Sequence, residues 1–363
     1  MIEASCTHCG CVMADGEGLY FRDELFCEDC LQELTVLCEH CGTRILKDSN
    51  EGDSDTPLCS RCYNRYYVSC EHCGRVLLQD DAYYESDDDD APYCYSCLIK
   101  HKAIRGYYYK PDPIFYGSGP RYFGVELEVD GAGENHSNAR QILNLANAME
   151  ERVYIKRDGS LESGMEIVTF PMGIDYQCNH MPWADILTLL KKMGYTSHNA
   201  GTCGLHCHIS RDALGDTIEE QEDVIARILY FFEKHWNELV RFSRRTQNQM
   251  ERWASRYGYH DSPKDILKRA KGSFARYSCL NLCNDSTVEF RFARGTLKLN
   301  TLIATLQLID RICDVAMYLS DEELKMLTWS SFVAGCSHQK ELVQYLKERR
   351  LYVNEPIDAE EEI

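Results

Sequence analysis

Three short segments of the chain place chemically active side chains at alternate positions. Each has the apolar–polar alternation of a β-strand, in which residues i and i+2 share a face. The pairs are Glu126 with Glu128, His206 with His208, and Glu289 with Arg291. A fourth strand-like segment, GMEIVTF, adds the carboxylate of Glu166. We therefore expect these side chains on one face of a sheet, with the apolar residues between them packing a core.

This combination of residue types predicts phosphoryl chemistry. Carboxylates and imidazoles that face a common space need cations, because buried charges are costly when unpaired. Oxygen-rich sites with a neutral imidazole suit Mg²⁺ or Mn²⁺, and the nearby Arg291 and Arg294 suit the phosphates that such a cation bridges. Each strand taken alone has a simpler explanation, a polar face turned to solvent. The combination, rather than any one strand, indicates a nucleotide site.

Short motifs in residues 121–320 resemble those of known ligases, in the same order along the chain. The segment GLHCHIS is similar to the GxHxHxS strand of glutamine synthetase, VELEV to its ExE metal strand and VEFRF to its late Glu-x-Arg strand. Amidoligases of the carboxylate–amine ligase superfamily, which includes glutamate–cysteine ligase, are the better match for RDGSLESGMEIVTFP, RYSCLNL and FARGTL. The resemblance implies an α+β fold, with a curved, mainly antiparallel sheet and helices, as in the glutamine synthetase catalytic domain.

The resemblance also implies roles for individual residues. The metal-binding positions it implies are Glu126, Glu128, Glu166, His206 and Glu289. His208 matches a histidine that contacts nucleotide phosphates, and Arg291 matches the arginine that stabilises charge on the transferred phosphoryl group. Catalysis is thereby assigned to Arg291, Glu289 and Glu126.

Further polar residues near the motifs are weaker candidates. Contact with the nucleotide is a possible role for Arg294, Arg244, Asn281 and Lys156, which could equally be surface or fold-stabilising residues. An additional metal carboxylate belongs to the glutamine synthetase pattern, and Asp158 and Glu162 are candidates for it. The number of Mg²⁺ ions is therefore left open.

The implied activity is an ATP-dependent carboxylate–amine ligase that forms an amide or isopeptide bond. A substrate carboxylate attacks the γ-phosphate of ATP, and an amine or amino-acid co-substrate then displaces phosphate from the acyl phosphate. Two alternatives stay open. One is a guanidino-type kinase, which shares this type of sheet, and the other is a non-catalytic zinc-module adaptor with a degenerate ligase domain.

The first 97 residues carry six CxxC pairs in an internal repeat of period 32. Each repeat begins with CxHCG and ends in a second CxxC pair, after 17, 17 and 20 intervening residues. Two such pairs supply four thiolates to one tetrahedral zinc. The predicted sites are Cys6, Cys9, Cys27 and Cys30; Cys38, Cys41, Cys59 and Cys62; and Cys70, Cys73, Cys94 and Cys97. These modules resemble tandem zinc ribbons or LIM domains.

Some details of the cysteine array are open at the level of sequence. LIM-like interleaving would instead join Cys27 and Cys30 to Cys38 and Cys41. Disulfides are less favoured than zinc, because the other seven cysteines are scattered as in a reducing compartment. Cys11 is left over as a spare thiol, and the histidines inside the CxxC pairs are not needed as ligands. A closed four-thiolate shell makes each of the three zinc ions structural.

Charge and composition limit the partners. The chain has 363 residues and a net charge of −19. Residues 1–100 hold 7 basic against 21 acidic residues, a balance of −14, which repels nucleic acid and favours a peptide or protein substrate as the partner of the zinc modules. No run of 18 apolar residues occurs, so no membrane span is expected, and the polar N-terminus does not resemble a signal peptide. We expect a cytoplasmic protein.

The predicted organisation has four parts. Zinc modules occupy about 1–34, 35–66 and 67–100, a linker 101–120, the catalytic domain 121–320, and C-terminal helices with an acidic tail 321–363. Helical periodicity predicts helices at 137–152, 183–194 and 218–245, and further helices after Thr296. The acidic run 87–90 is predicted to be a solvated loop.

Overall fold

The computed structural model describes residues 4–14, 16–85, 90–273 and 276–352. The chain divides into two compact units, Met1–Lys102 and Ala103–Ile363, called here the first and the second unit. Most of the predicted acidic loop 87–90 and the acidic tail lie outside the described residues.

The first unit is built from short antiparallel strand pairs and one-to-two-turn helices. In each repeat a cysteine of the second CxxC pair is the N-cap of a helix: Cys27, Cys59 and Cys94. The elements are β1 (Ala4–Ser5), β2 (Val12–Met13), β3 (Leu19–Phe21), β4 (Glu24–Phe26), α1 (Glu28–Leu34), β5 (Thr35–Leu37), β6 (Arg44–Leu46), α2 (Ser60–Tyr66), β7 (Tyr67–Ser69), β8 (Val76–Leu78) and α3 (Tyr95–His101).

The apolar clusters of this unit are small, and the cysteines are part of them. One cluster consists of Cys6, Met13, Phe26, Cys30 and Leu31. Modules of this size bury too little apolar surface to fold alone, so bound metal is expected to supply folding free energy. The second and third modules are tied together, because Asp53 accepts a hydrogen bond of 2.9 Å from the backbone N–H of Val76.

The second unit contains, within the described residues, an eight-stranded and mostly antiparallel sheet. The strands are β9 (Ile104–Arg105), β10 (Tyr122–Asp130), β11 (Val153–Lys156), β12 (Gly164–Thr169), β13 (Met172–Gly173), β14 (Leu205–Ser210), β15 (Leu280–Asn281) and β16 (Thr287–Phe290). Their order is β15–β16–β14–β10–β12–β11–β9, with β13 paired to the start of β10. Only β9, which pairs with β11, is parallel to its neighbour among these strands. The expected α+β class with a mainly antiparallel sheet is confirmed at this level.

Helices pack against the apolar face of this sheet. Val125, Leu127 and Val129 of β10 are fully buried in a core shared with residues of the helices. The helices are α4 (His136–Ala146), α5 (Ile174–Asn179), α6 (Trp183–Lys192), α7 (Ile218–Lys234), α8 (Trp236–Ser243), α9 (Gln247–Trp253), α10 (Pro263–Ser273), α11 (Leu299–Tyr318), α12 (Asp321–Met326), α13 (Trp329–Ala334) and α14 (Lys340–Glu348).

Two predicted helices are shorter or broken in the structure. Helix α4 ends at Ala146, because the side chain of Asn147 accepts hydrogen bonds from the backbone N–H groups of Arg152 and Val153 and closes a turn there. The predicted helix 218–245 is divided at His235, whose backbone leaves the helical conformation. The His235 ring is buried against Phe231 and Trp329.

The predicted linker is not a separate segment. Residues 103–120 belong to the second unit, since β9 extends its sheet from Ile104. The C-terminal helices likewise belong to this unit, where α14 packs against α11. No helix in the described part of the chain combines the length and apolar character that crossing a membrane requires.

We predict that His235 makes the second unit sensitive to mild acid. Burial, helped by the charge of Lys234, lowers the pKa of His235 from 6.5 to about 4. Between these values the unfolded chain binds a proton that the folded chain does not, so stability falls as the pH is lowered, by about 3 kcal/mol in total. Urea denaturation at pH 4.5 to 7.5 should show a shallower pH dependence for His235→Phe than for wild type.

The readout can be confined to the second unit, because all four tryptophans lie there and their fluorescence reports its unfolding. His338→Phe, at an exposed position, controls for the general effect of replacing a histidine. Equal pH slopes for wild type and His235→Phe would contradict this account.

Candidate active site on the polar face of the sheet

The pairing of the strands brings the predicted site residues into one array on a single face of the sheet. Residues directly opposite each other on neighbouring strands point to the same side. The pairs are Lys156 with Glu166, Glu166 with Glu128, Glu126 with His206, His208 with Glu289, and Glu289 with Asn281. The array therefore extends over β11, β12, β10, β14, β16 and β15.

The opposite face explains why this array can form. The residues that alternate with it, such as Leu127, Cys207 and Phe290, are at most 1% exposed in the core. A slip of one residue in any pairing would send these apolar groups to the polar side and the carboxylates into the core. Core packing therefore fixes the register on which the site depends.

His206 lies at the centre of the array. Its Nδ1 atom lies 3.6 Å from an oxygen of Glu126, 3.6 Å from one of Glu128 and 3.7 Å from one of Glu289. The Nε2 atom of His208 lies 3.3 Å from Glu126. The side chains of His206, Glu128 and Glu289 are almost completely buried, whereas those of Glu126 and His208 are partly exposed.

Two overlapping groups of three residues have the geometry for a cation. They are Glu126, His206 and Glu289, and Glu128, Glu166 and His206, with the ligand atoms of each group within 4.8 Å of one another. The buried Nδ1 atom of His206 has no hydrogen-bond partner among the described residues. Oxygen-rich sets with one imidazole fit a hard divalent cation such as Mg²⁺ or Mn²⁺. The five expected metal residues are thus brought together.

Cationic side chains of the protein neutralise part of this negative charge. Lys156 Nζ lies 3.0 Å from Glu166 and 3.7 Å from Glu126. Arg291 pairs with Glu289, and Asn281 donates a hydrogen bond of 2.7 Å to the other oxygen of Glu289. The buried Nε atom of Arg291 has no hydrogen-bond partner among the described residues, so it is available to donate to a bound anion.

The ionisation of the carboxylates reflects their position in the array. Burial raises the pKa of Glu126, but the neighbouring His208 outweighs this effect and holds the pKa well below its usual range. Burial and the adjacent Glu126 charge raise the pKa of Glu166 well above normal, and burial raises that of Glu128. Burial opposes the charge on Lys156, but Glu126 and Glu166 raise its pKa. The four carboxyl groups outnumber the array's cationic side chains Lys156 and Arg291, so without a bound cation the array favours protonation of Glu166 and Glu128.

A cavity of about 1060 Å³ lies over the array. Its volume exceeds what a nucleotide alone needs, so it has room for a second substrate. Aromatic residues line much of its wall. They include Tyr107, Tyr108 and Tyr109, from the segment predicted to be a linker, and Tyr154, Trp253 and Tyr277. This wall offers stacking surfaces for a planar ring.

Not every predicted residue reaches the cavity. Lys156, Asn281 and Asp158 line it, whereas Arg244, Arg294 and Glu162 are not among its lining residues. Arg294 instead donates a hydrogen bond of 3.4 Å to the backbone oxygen of Arg244. Arg244 adopts a left-handed backbone conformation, with φ 60°, directly after α8. These arginines are therefore poor candidates for contact with the nucleotide.

Sequence reasoning missed two residues that shape the site. Arg245 lines the cavity, is 7% exposed and donates a hydrogen bond of 3.0 Å to the backbone of Ala293. Asp130 accepts hydrogen bonds from the backbone N–H groups of Glu162 and Ser163 and from the hydroxyl of Thr202, and so holds two loops together. The strand pattern puts Asp130 on the face of Glu126 and Glu128, which could have suggested it. Nothing in the sequence distinguishes Arg245 from its neighbour Arg244.

The cysteines of the first unit form three separate groups. Two match the prediction in full: Cys38, Cys41, Cys59 and Cys62; and Cys70, Cys73, Cys94 and Cys97. The third contains Cys6, Cys9, Cys11 and Cys27, so Cys11 takes the place that the sequence analysis gives to Cys30. All three are sets of four thiols of the kind that binds zinc, and LIM-like interleaving between successive repeats is not observed in them.

We predict that Lys156 is needed to hold the array together without metal. Removal of a buried charge that has two carboxylate partners should destabilise the unit by about 3 kcal/mol, because Glu126 and Glu166 are left uncompensated. Tryptophan fluorescence should show a lower Tm for Lys156→Met, and Mg²⁺ should recover part of the loss. Lys264→Met removes an exposed pair with Asp223 and serves as the control. A Tm equal to that of wild type in metal-free buffer would contradict the prediction.

Comparison with known proteins gives little beyond these observations. No protein-family model matches the sequence, and no curated protein matches it closely. Similar solved structures include the complex between prokaryotic ubiquitin-like protein Pup and its ligase PafA, at 9% identity and a TM-score of 0.32. They also include a bifunctional glutathione synthetase from Pasteurella multocida, at 14% identity and a TM-score of 0.32. The match covers 63% of this chain in both cases, but 62% and 46% of those chains, so this chain spans less than two thirds of either. At these TM-scores the similarity carries no weight for function.

Proposed function

We propose that the second unit is an ATP-dependent carboxylate–amine ligase that forms an amide or isopeptide bond. The observation that carries the proposal is the array itself: Glu126, Glu128, Glu166, His206 and Glu289 on one sheet face under a cavity, beside Arg291. The proposal includes a glutamine synthetase-like catalytic domain of the amidoligase type. The order of the four motifs along the chain supports this finer assignment.

Divalent metal is part of the proposal. The small number of cationic side chains beside four carboxyl groups and the unpartnered Nδ1 atom of His206 support binding of Mg²⁺ or Mn²⁺ by the two groups of three residues. When bound, such an ion would neutralise the phosphates of ATP and favour the transfer of the γ-phosphoryl group. The two groups share His206, so its imidazole would be a ligand to an ion held by either group.

The protein's own side chains would do the rest. The free Nε–H of Arg291 can donate to an oxygen of the transferred phosphoryl group while Glu289 holds the guanidinium in place. His208 is positioned by a hydrogen-bonding contact of 3.1 Å between its Nδ1 atom and the hydroxyl of Thr287, which leaves Nε2 directed to the array. The aromatic wall would pack against the bound substrates and help to exclude water, which would otherwise hydrolyse the acyl phosphate before the amine reacts.

The substrate class is proposed on the same basis. The cavity has room for a side chain or a short peptide beside ATP, and a separate unit of cysteine modules offers a means of recruitment. We therefore infer a peptide or protein substrate, with an amine or amino acid as the second reactant. Three structural zinc ions, one for each group of four cysteines, would hold the cysteine modules folded.

The first test needs no knowledge of the substrate. Calorimetric titration of ATP with Mg²⁺ into the full chain should show binding that depends on the metal. Glu126→Gln removes a ligand of one candidate cation group, and His206→Ala removes the ligand that both groups share, so each change should lower the affinity by about 10-fold to 100-fold. Glu322→Gln, at an 81% exposed position in α12, should bind as wild type does.

Absence of binding by folded wild type in both Mg²⁺ and Mn²⁺ would contradict the nucleotide site. It would favour the adaptor, in which the sheet is a degenerate ligase domain.

A second test separates a ligase from a guanidino-type kinase. Hydroxylamine traps acyl phosphates as hydroxamates, so incubation with ATP, Mg²⁺ and a pool of acidic peptides should give ADP and hydroxamate in equal amounts. A kinase that phosphorylates a guanidino nitrogen would form ADP without hydroxamate. Arg291→Met should lower the rate by about 10³-fold, because the charge on the phosphoryl group loses its donor. Retained ATP binding by this variant would show that its fold is intact.

A further inference from the structure

The first cysteine module contains one thiol more than a zinc ion needs. The sulfur atoms of Cys6, Cys9, Cys11 and Cys27 lie within 4.8 Å of one another. The backbone N–H of Cys30 donates a hydrogen bond of 3.5 Å to the sulfur of Cys27, and the Cys30 side chain packs with Cys6 in the small core of the module. Five thiols therefore surround a position where tetrahedral zinc accepts four.

The internal repeat shows that this excess is specific to the first module. With a period of 32, the position of Cys11 is occupied by Thr43 in the second module and by Arg75 in the third. The hydroxyl of Thr43 lies 3.3 Å from the sulfur of Cys41, so a side chain at this position faces the metal-binding group. The second and third modules hold four cysteines each and no fifth.

The two thiols that compete for the last position differ in exposure. Cys11 is exposed, whereas Cys30 is 6% exposed and packs in the small core of the module with Phe26 and Leu31. Whichever of the two is not bound remains next to the metal-bound thiolates. Zinc in this module therefore has a ready exchange partner, which zinc in the other two lacks.

We propose that Cys11 and Cys30 share the fourth ligand position of the first zinc site, and that the fifth thiol makes this zinc exchangeable and sensitive to oxidation. The oxidant is a hydroperoxide. One molecule of hydrogen peroxide takes two electrons from Cys11 and a neighbouring cysteine, which become a disulfide. The thiol of Cys11 supplies one proton and solvent supplies a second, because the neighbouring cysteine is a zinc-bound thiolate, and two molecules of water form. The zinc ion loses a ligand thiolate and leaves. This inference depends on zinc binding and not on the ligase reaction.

Zinc content measured on the purified full chain tests the shared position. Wild type, Cys11→Ser and Cys30→Ser should each hold three zinc ions, because either cysteine can complete the shell. The double variant Cys11→Ser/Cys30→Ser should hold two, and the zinc of the other modules shows that the chain has folded. Two zinc ions in either single variant would overturn the proposal, since one cysteine would then be indispensable.

Zinc release by hydrogen peroxide, followed with a chromogenic zinc indicator, tests the sensitivity to oxidation. Wild type should release one zinc equivalent about tenfold faster than the other two, and Cys11→Ser should lose this fast phase. The matched control is Thr43→Cys, which gives the second module the same fifth thiol and should add a second fast equivalent. Equal release rates for wild type and Cys11→Ser, or no gain with Thr43→Cys, would overturn the proposal. Mass spectrometry should find Cys11 in the disulfide that forms.

Discussion

The burial of four carboxyl groups beside only two cationic side chains is the constraint on which the polar face of the sheet depends. Glu128, Glu166 and Glu289 are at most 4% exposed, and Glu126 lies beside them. Burial of like charges is tolerated only when cations are near, and the protein supplies Lys156 and Arg291 for this purpose. Ionisation of all four carboxyls therefore demands an external cation. Recognition of a metal–nucleotide complex is a direct way to meet that demand, which is why the charge of the array argues for function.

The two faces of the sheet are one device. Residues 0% to 1% exposed, such as Val125, Leu127 and Ile167, fix the register of the central strands by packing under the helices. Because the side chains alternate, the same register places Glu126, Glu128 and Glu166 on the other face. A site held by several strands loses little precision to local motion, since each ligand is attached to a backbone that its neighbours hold on both sides.

Alternation along single strands was enough to predict which residues share the polar face, because that property is local. The order of the strands is not local, and it decides which charges meet. The pairing of β11 with β12 places Lys156 beside Glu166, and no spacing in the sequence contains this contact. Likewise, the burial of Arg245 rather than Arg244 depends on how the chain leaves α8. The aromatic residues 107–109 are predicted to be part of a linker because they have no periodicity, although they line the cavity. His235 divides a helix through packing with Trp329, almost a hundred residues away.

The cysteine modules show the opposite balance. Their ligands lie within about thirty residues of one another, so the repeat alone predicts two complete sites and most of a third. The failure at the first module has a physical cause, since spacing can count the thiols near a site but cannot rank five of them for four positions. In this unit the apolar core is too small to define one ligand set, so bound metal supplies much of the folding free energy. In the second unit the core is complete and fixes the ligands before any metal arrives. Freedom in the choice of ligands therefore belongs to the first module, where cysteines make up part of the packing themselves.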